Sequence, residues 1–535
     1  ARGWNSPWWR YRGWSGWSEW GLMPPSRERG RRSCQRPRRW RAGRRRGCCM
    51  WRRLGLRRGW CWVFNVQARD YFFYNREKLM NIMKWENLVN SQRIGGRPSK
   101  DEKNRSPFNS DHDKIIFSGA FRRLARKTQV HPLATNDHIH NRLTHSLEVA
   151  CVGRSLGIKV GQMLVEQKKI PENISASDIG DIVQSTCLAH DIGNPPFGHT
   201  GESAIRSWFS NEGSRFLEKL HEEESDDLKM FEGNAQGLRV LTSAEYHPYD
   251  GGMRLTYATL GSFIKYPWTA SPSILGNRPK RDKFGVFQSE LEIFHEIANA
   301  TGLLRRSEDD WYCRHPLVYL MEAADDFCYA LLDLEDALEM GILSWKKIFE
   351  IVEPVLPDGD KDQILNDLKN VRDGRKPPII RGRIMDAYVN SAAGAFMENE
   401  SRILQGEGVD LVKLCGGAVA QSVSDAKQIA KEYVFNHPRK IELEIGSYSV
   451  ISTILEVMCT AVNEYVVNPK NYSFKSKRVL DLIGEETFDP KMKASSGRNT
   501  PSYLALMRVI DFVGGCTDHY ATYLAKQFNG MGEAR

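Results

Sequence analysis

No two cysteines in residues 70–535 are close enough to form a C-x-x-C element. The seven in that stretch (Cys151, Cys187, Cys313, Cys328, Cys415, Cys459 and Cys516) are scattered. Their spacing argues against a zinc ribbon or a disulfide framework and fits a reducing cytoplasm. A Gly-rich phosphate loop is also missing, since Gly416-Gly417 and Gly514-Gly515 lack a following Lys-Ser/Thr. Strand-like alternation of apolar and polar residues is nearly absent, and Ile441 to Val450 is its best candidate. No apolar run reads as long enough to span a bilayer. No internal repeat is present.

Lysine is missing from Ala1 to Arg69, which holds 19 Arg against Glu19 and Glu28. That segment therefore carries +17 of a chain total of +10, leaving −7 for the remainder. The body is mildly acidic, and the basic excess is no general sign of nucleic-acid binding. Ten of the 15 Trp also fall before Val63. A transit peptide would be Ser-rich instead, and no small-residue cleavage site follows a hydrophobic core. Residues 1–79 are expected to be a disordered Arg/Trp-rich leader or translated upstream DNA. The alternative is a basic, aromatic arm that binds nucleic acid.

With 535 residues, more than one packed unit is expected. What fills the chain is helical periodicity. Ile179, Ile182, Val183, Cys187 and His190 recur at helical spacing, with Asp178 as a cap and Gly193 as a stop. This run leads into Leu188-Ala-His-Asp-Ile-Gly-Asn-Pro-Pro-Phe-Gly-His-Thr-Gly-Glu202. An adjacent His190-Asp191 can give an imidazole and a carboxylate to one divalent ion. A bare His-Asp dipeptide is more often just a helix end, so the surroundings must carry the assignment. His145, Val149, Val152 and Leu156 share one helical face, and Arg142 lies one turn before His145. Asp111 to Lys127 reads as a helix, and Glu223 to Lys229 as an acidic surface stretch. Pro316 is placed to open a helix on which Asp325, Tyr329 and Asp333 share a stripe.

The order His145, His190-Asp191, Asp325 resembles the HD-domain metal-dependent phosphohydrolase superfamily. Phe121-Arg-Arg-Leu124, Lys127-Thr-Gln-Val130, Arg142 to Val149, His190 to Glu202, Phe231 to Gly237 and Met321 to Asp326 narrow the resemblance to the bacterial deoxyguanosine triphosphate triphosphohydrolases. It runs from about Trp85 to the C-terminal end, including Gly515-Cys-Thr-Asp-His-Tyr520. A weaker similarity extends to the vertebrate SAM- and HD-domain dNTP hydrolase.

The resemblance implies an all-α fold: an HD-type catalytic core over 80–340, and a C-terminal helical region over 341–535 that completes the substrate site and oligomer contacts. It implies hydrolysis of dGTP to deoxyguanosine and intact triphosphate. His145, His190, Asp191 and Asp325 would hold one divalent ion, Mn or Mg first, with Co, Ni, Fe or Zn as alternatives. Asp325 is preferred to Asp326 because it sets Tyr329 and Asp333 at the family's spacing. His199 and Glu202 would be the proton-transfer dyad, with Asp191 also at the reacting centre. His199 either activates water or protonates the leaving oxygen. Arg142 and Lys265 would bind phosphates. Asn194 and Asn234 would line the same region. Tyr329 would pack where a 2′-hydroxyl would sit, Asp333 would accept from the 3′-hydroxyl, Gln129 would lie near the sugar, and Tyr266 would pack on the substrate.

Two other functions compete. One keeps the ion site in a broad, nucleotide-activated dNTPase. The other is a non-catalytic nucleotide-binding HD regulator, against which the intact dyad argues. The family further implies a bacterial cytoplasmic homo-oligomer, commonly a hexamer, with single-stranded DNA bound by some members and no membrane partner.

Overall fold

The structure is a computed structural model that describes residues 82–95, 105–130, 136, 138–243, 252–270, 283–306, 310–434, 438–484 and 498–532. The leader expected over 1–79 lies outside the described residues. All described residues belong to one compact unit, Asp70–Arg535. They form helices and short 3-10 turns, with isolated bridges and no strand among them. The fold is all-α. The helices that position the cleft are α1 (Pro107–Ile116), α2 (Arg142–Glu166), α3 (Ala176–Ala189), α4 (Gly198–Ser210), α5 (Gly233–Thr242), α6 (Val318–Glu339), α7 (Pro377–Leu404), α8 (Pro438–Val467), α9 (Pro501–Gly515) and α10 (Asp518–Phe528).

Two hydrophobic cores organise them. The first joins α1, α2, α3, α6 and α7, with Leu156, Ile182, Phe327 and Phe396 fully buried. The second joins α4 to α8 and α9, with Ile205, Phe231, Ile454 and Ile510 fully buried. Helices after residue 340 enter both cores.

Helices α2 and α3 lie unusually close, and glycine is the reason. A Cβ on Gly157 would sit 2.9 Å from the Gly180 Cα, and one on Gly161 would sit 2.9 Å from the Ala176 Cα. One on Gly153 would overlap Cys187 Sγ. Rising residue numbers on α2 thus meet falling numbers on α3, so the pair is antiparallel. That geometry brings His145, near the start of α2, to His190, at the end of α3. Glycine inside a helix normally costs about 1 kcal/mol relative to alanine. Here close packing offsets that cost.

Several sequence expectations change. Ile441 to Val450 is helical, the first part of α8. Its short alternation is overridden by the helical spacing of Ile451, Ile454, Leu455, Met458 and Val462 on the same helix, all buried. That helix also corrects the membrane reading: Lys440–Val467 is long and apolar enough to cross a bilayer. The apolar residues just named pack into the second core instead. The helix expected over 111–127 breaks at Phe117, and Ser118 caps a short new one, Gly119–Arg123. Ser175 caps α3, while Asp178 closes the capping box from the third position. That helix ends at Ala189, with His190 as its cap. Pro316 stands just outside α6, directly before its cap Leu317. The acidic stretch is not simply surface: Glu224 holds Thr500, and buried Asp227 accepts from Tyr503 Oη and the Gln288 amide.

Candidate active site

Asn141 caps α2 with a reciprocal Thr144 contact, and such a cap contributes about 1 kcal/mol. Arg142 and His145 follow in its first turns and are buried. His190 Nδ1 donates to the Cys187 carbonyl at 2.6 Å. A carbonyl only accepts, so Nδ1 carries a proton, and Nε2 is the ring nitrogen left to face an ion. That Nε2 is buried, has no hydrogen-bond partner, and lies 3.6 Å from both Asp191 Oδ2 and Asp325 Oδ1. His145 Nε2 lies 3.1 Å from Asp325 Oδ1. One ligand atom each from His145, His190 and Asp325 falls within 4.8 Å of the others. An unpartnered imidazole nitrogen facing two carboxylates fits a divalent cation, which would satisfy all of them at once.

Asp191 stands beside this trio with both oxygens engaged. Oδ2 accepts from Arg142 Nη1 at 2.6 Å, and Oδ1 from Asn194 Nδ2. Burial alone would raise its carboxyl, but Arg142, His190 and His145 outweigh burial and hold it well below the usual carboxylate range. Asp325 is also lowered: burial opposes, and His190 and His145 prevail. Asp326 points elsewhere and pairs with Lys427 at 2.7 Å.

Across the cleft, Phe197 takes a left-handed conformation (φ 65°) just before α4. Gly193 upstream is forced by contact, since a Cβ there would meet the Gly237 amide at 2.1 Å. The turn presents His199 with its side chain 76% exposed, while Glu202 is buried behind it. Glu202 Oε2 lies 3.1 Å from His199 Nδ1, and Oε1 accepts from the Gly233 amide at 2.9 Å. Burial would raise Glu202, but the His199 hydrogen bond, Lys283 and Arg206 hold it down at about 2. An ionised carboxylate only accepts, so His199 Nδ1 is the donor, which leaves Nε2 for the cavity that His199 lines.

A second buried carboxylate, Glu232, supports this dyad. It takes Lys283 at 2.7 Å, Arg206 at 3.0 Å and Asn234 Nδ2 at 2.6 Å. Burial and the Glu202 charge raise its carboxyl.

One cavity of about 530 Å³ joins the two sides, within the range of about 300–1,000 Å³ typical of small-molecule sites. Gln129, Arg142, His190, Asp191, Asn194, His199, Asn234, Lys265, Tyr266, Asp325, Tyr329 and Asp333 line it. His145 and Glu202 stand behind the lining residues they support. Gln129 Nε2 donates to Tyr329 Oη at 2.8 Å, and the Tyr329 ring lies 4.9 Å from that of His145. Lys265 pairs with Glu322 at 3.5 Å and approaches the Tyr266 ring, which Arg314 also covers. Burial lowers Lys265, but Glu322 and the neighbouring oxygens raise it further, so it stays cationic. Asp333 is pushed well above the usual range by burial and by Asp336.

Sequence reading missed Lys283, Lys427, Lys440 and Glu444, which line the same cavity. Lys427, Lys440 and Glu444 arrive from C-terminal helices, and no spacing rule links them to the histidines.

Residues 142–276 match the HD domain family model. With that match, the helical fold and the buried His/Asp group define the chain as an HD-domain phosphohydrolase. It is 48% identical over 457 residues to the deoxyguanosinetriphosphate triphosphohydrolase-like protein of Pseudomonas aeruginosa (strain LESB58), spanning 84% of this chain and 99% of that one. A protein of the same name from Synechocystis sp. is 36% identical, spanning 84% and 100%. The deoxyguanosinetriphosphate triphosphohydrolase of Yersinia pestis (strain Pestoides F) is 30% identical, spanning 83% and 98%. The chain belongs to this family of deoxyguanosinetriphosphate triphosphohydrolase-like proteins.

Proposed function

We propose that this chain is a metal-dependent dNTP triphosphohydrolase whose preferred reaction is dGTP plus water to deoxyguanosine and triphosphate. The observation that carries the reading is one cavity with an unpartnered His190 Nε2 on one side and the His199–Glu202 dyad on the other. His145, His190 and Asp325, with Asp191 alongside, would hold a divalent ion, which when bound supplies Lewis acidity to the phosphate oxygens.

The chain's own residues do the rest. Arg142 and Lys265 offer fixed positive charge to a triphosphate, while Asp191 keeps Arg142 oriented. Water attacks the α-phosphorus and the bond to the 5′ oxygen breaks, so triphosphate leaves whole. His199 Nε2 either takes the proton from that water or gives one to the 5′ oxygen, and Glu202 steadies the imidazole through Nδ1. Tyr329, held by Gln129, packs against the deoxyribose where a 2′-hydroxyl would collide. Asp333, neutral when its carboxyl is raised, can both donate to and accept from the 3′-hydroxyl. Asn194, Asn234 and Tyr266 complete the phosphate and sugar surroundings.

The family resemblance supports a homo-oligomer, up to a hexamer, and single-stranded DNA as an additional partner. The seven described cysteines are free, which supports the cytoplasmic reading.

Product analysis tests the function. Each dNTP and GTP is offered separately with Mn or Mg, and triphosphate is separated from pyrophosphate and phosphate. Deoxyguanosine and intact triphosphate, mainly from dGTP, is the expected result. Triphosphate from all four dNTPs would replace dGTP preference with broad specificity. No turnover, singly or in mixtures, would overturn the enzyme reading in favour of a regulator.

A further inference from the structure

The words Lys127-Thr-Gln-Val130 and Gly515-Cys-Thr-Asp-His-Tyr520 belong to the family pattern, yet Lys127, Thr128 and Asp518 have no role in the chemistry above. The fold brings them together. Asp518 opens α10 and is 1% exposed. Its Oδ2 accepts from the Thr128 amide at 2.9 Å and from the Thr128 hydroxyl. Its Oδ1 accepts from the Phe197 amide at 2.9 Å. One carboxylate therefore ties together two segments that are far apart in the sequence.

One segment leads to the residues at the sugar and the other to the proton-transfer dyad. Thr128 precedes Gln129, which holds Tyr329, and it bridges to Asn141, the cap of α2. Phe197 is the left-handed residue that turns the chain into Gly198 and His199. A third tie leaves the same corner: Lys127 Nζ donates to the carbonyls of Gly514 and Asn194. Asn194 in turn holds Asp191. A left-handed non-glycine residue is costly and persists only where its surroundings fix it. The Asp518 bond to its amide is such a fixture.

We propose that Asp518 is a positioning residue that sets the dyad side of the cleft against the sugar side, so that turnover and deoxyribose selection depend on one carboxylate. The proposal rests on the dNTP reading above. It makes rate and sugar discrimination move together, which neither segment would do alone.

The test uses the full chain with Asp518→Asn, Thr128→Val, Thr128→Ser and, as a control, His519→Ala at an exposed site. Steady-state kcat and KM are measured for dGTP and GTP on folded protein. Amide hydrogen exchange is followed in peptides covering 127–130 and 195–200. Misplacement of about 1 Å can cost roughly 10²-fold in rate. Asp518→Asn is therefore expected to lower kcat on dGTP by about 10- to 100-fold and to narrow the dGTP/GTP preference severalfold. It should also speed exchange in both peptides. Thr128→Val should change the dGTP/GTP ratio more than kcat, Thr128→Ser should restore it, and His519→Ala should match wild type. A fall in kcat that only tracks lost folded protein, with the ratio unmoved, would reduce Asp518 to a stability role and overturn the proposal. So would faster exchange in one peptide alone. Absence of triphosphate from wild type would fail the dNTP reading instead, and the exchange result would still decide the role of Asp518.

Discussion

His190 and His199 stand on opposite sides of one cavity, and their settings differ in almost every physical respect. His190 is half-buried at a helix end, proton-locked by the Cys187 carbonyl, and faces two carboxylates. His199 is largely exposed, on a left-handed turn, with one buried carboxylate behind it. The His190 side is fixed by close packing of α2 on α3. The His199 side is fixed by hydrogen bonds to residues far away in sequence. A ligand site gains from rigidity, because a preset geometry avoids reordering when an ion binds. A proton-transfer group must reach a substrate that enters and leaves, so exposure suits it.

The largest break in that contrast is His190→Ala. It is expected to abolish metal-dependent turnover, a loss beyond the roughly 10–100-fold seen for outer-shell partners. Titration with Mn should show weakened ion binding. Full activity in this variant would remove His190 from the ligand set. Chelation of wild type should mimic the variant, with recovery on adding Mn or Mg.

His199→Ala should behave oppositely with respect to the ion. A general acid or base contributes about 10²–10⁴-fold, so kcat should drop by that order while Mn binding stays at the wild-type level. If ion affinity fell as well, the two sides would not be separable as described. Tyr329→Ala sharpens the same division on the sugar side. Its expected effect is about tenfold less rejection of GTP. An unchanged dGTP/GTP ratio of kcat/KM would take that role from Tyr329.

The His190 side was largely legible in the sequence. The helical spacing of His145, Val149, Val152 and Leu156 placed His145 on a packed face, and the run from Ile179 to His190 placed its partner. The Gly153, Gly157 and Gly161 series was equally visible, but its meaning needs the facing helix. Less could be read on the other side. His199 and Glu202 are one turn apart and Arg206 one turn further along the same helix, yet Lys283 and Glu232 join them only in space. Glu224 and Asp227 read as surface charge because their partners, Thr500 and Tyr503, lie more than 270 residues away. Ile441 to Val450 alternated like a strand over ten residues, and the longer helical run beyond it prevailed.

Gly157→Ala tests the packed side by stability. The added methyl meets the Gly180 backbone, which cannot rotate aside. Overpacking of this kind costs about 1–3 kcal/mol. A lower urea midpoint is expected, together with weaker Mn binding as His145 and His190 shift apart. A variant as stable as wild type would mean the helices have room to separate.

The smallest expected effect belongs to the hydrogen-bonded side and is read by pH. Glu202 faces His199, Lys283, Arg206, the Gly233 amide and the like charge of Glu232. Burial works against its ionisation, but the His199 hydrogen bond and the two cations lower its carboxyl from 4.5 to about 2. A lowered carboxylate adds stability that is complete above its unfolded value and is lost as pH falls toward the folded one. The Glu202 contribution should therefore be whole above about pH 4.5 and fade between there and about pH 2. Urea midpoints of wild type and Glu202→Gln, followed from pH 6 to pH 3, isolate it. Wild type should lose stability more steeply than the variant below about pH 4.5. Parallel curves would mean that Glu202 carries no net stabilising charge interaction, leaving the Gly233 hydrogen bond as its main tie to the fold.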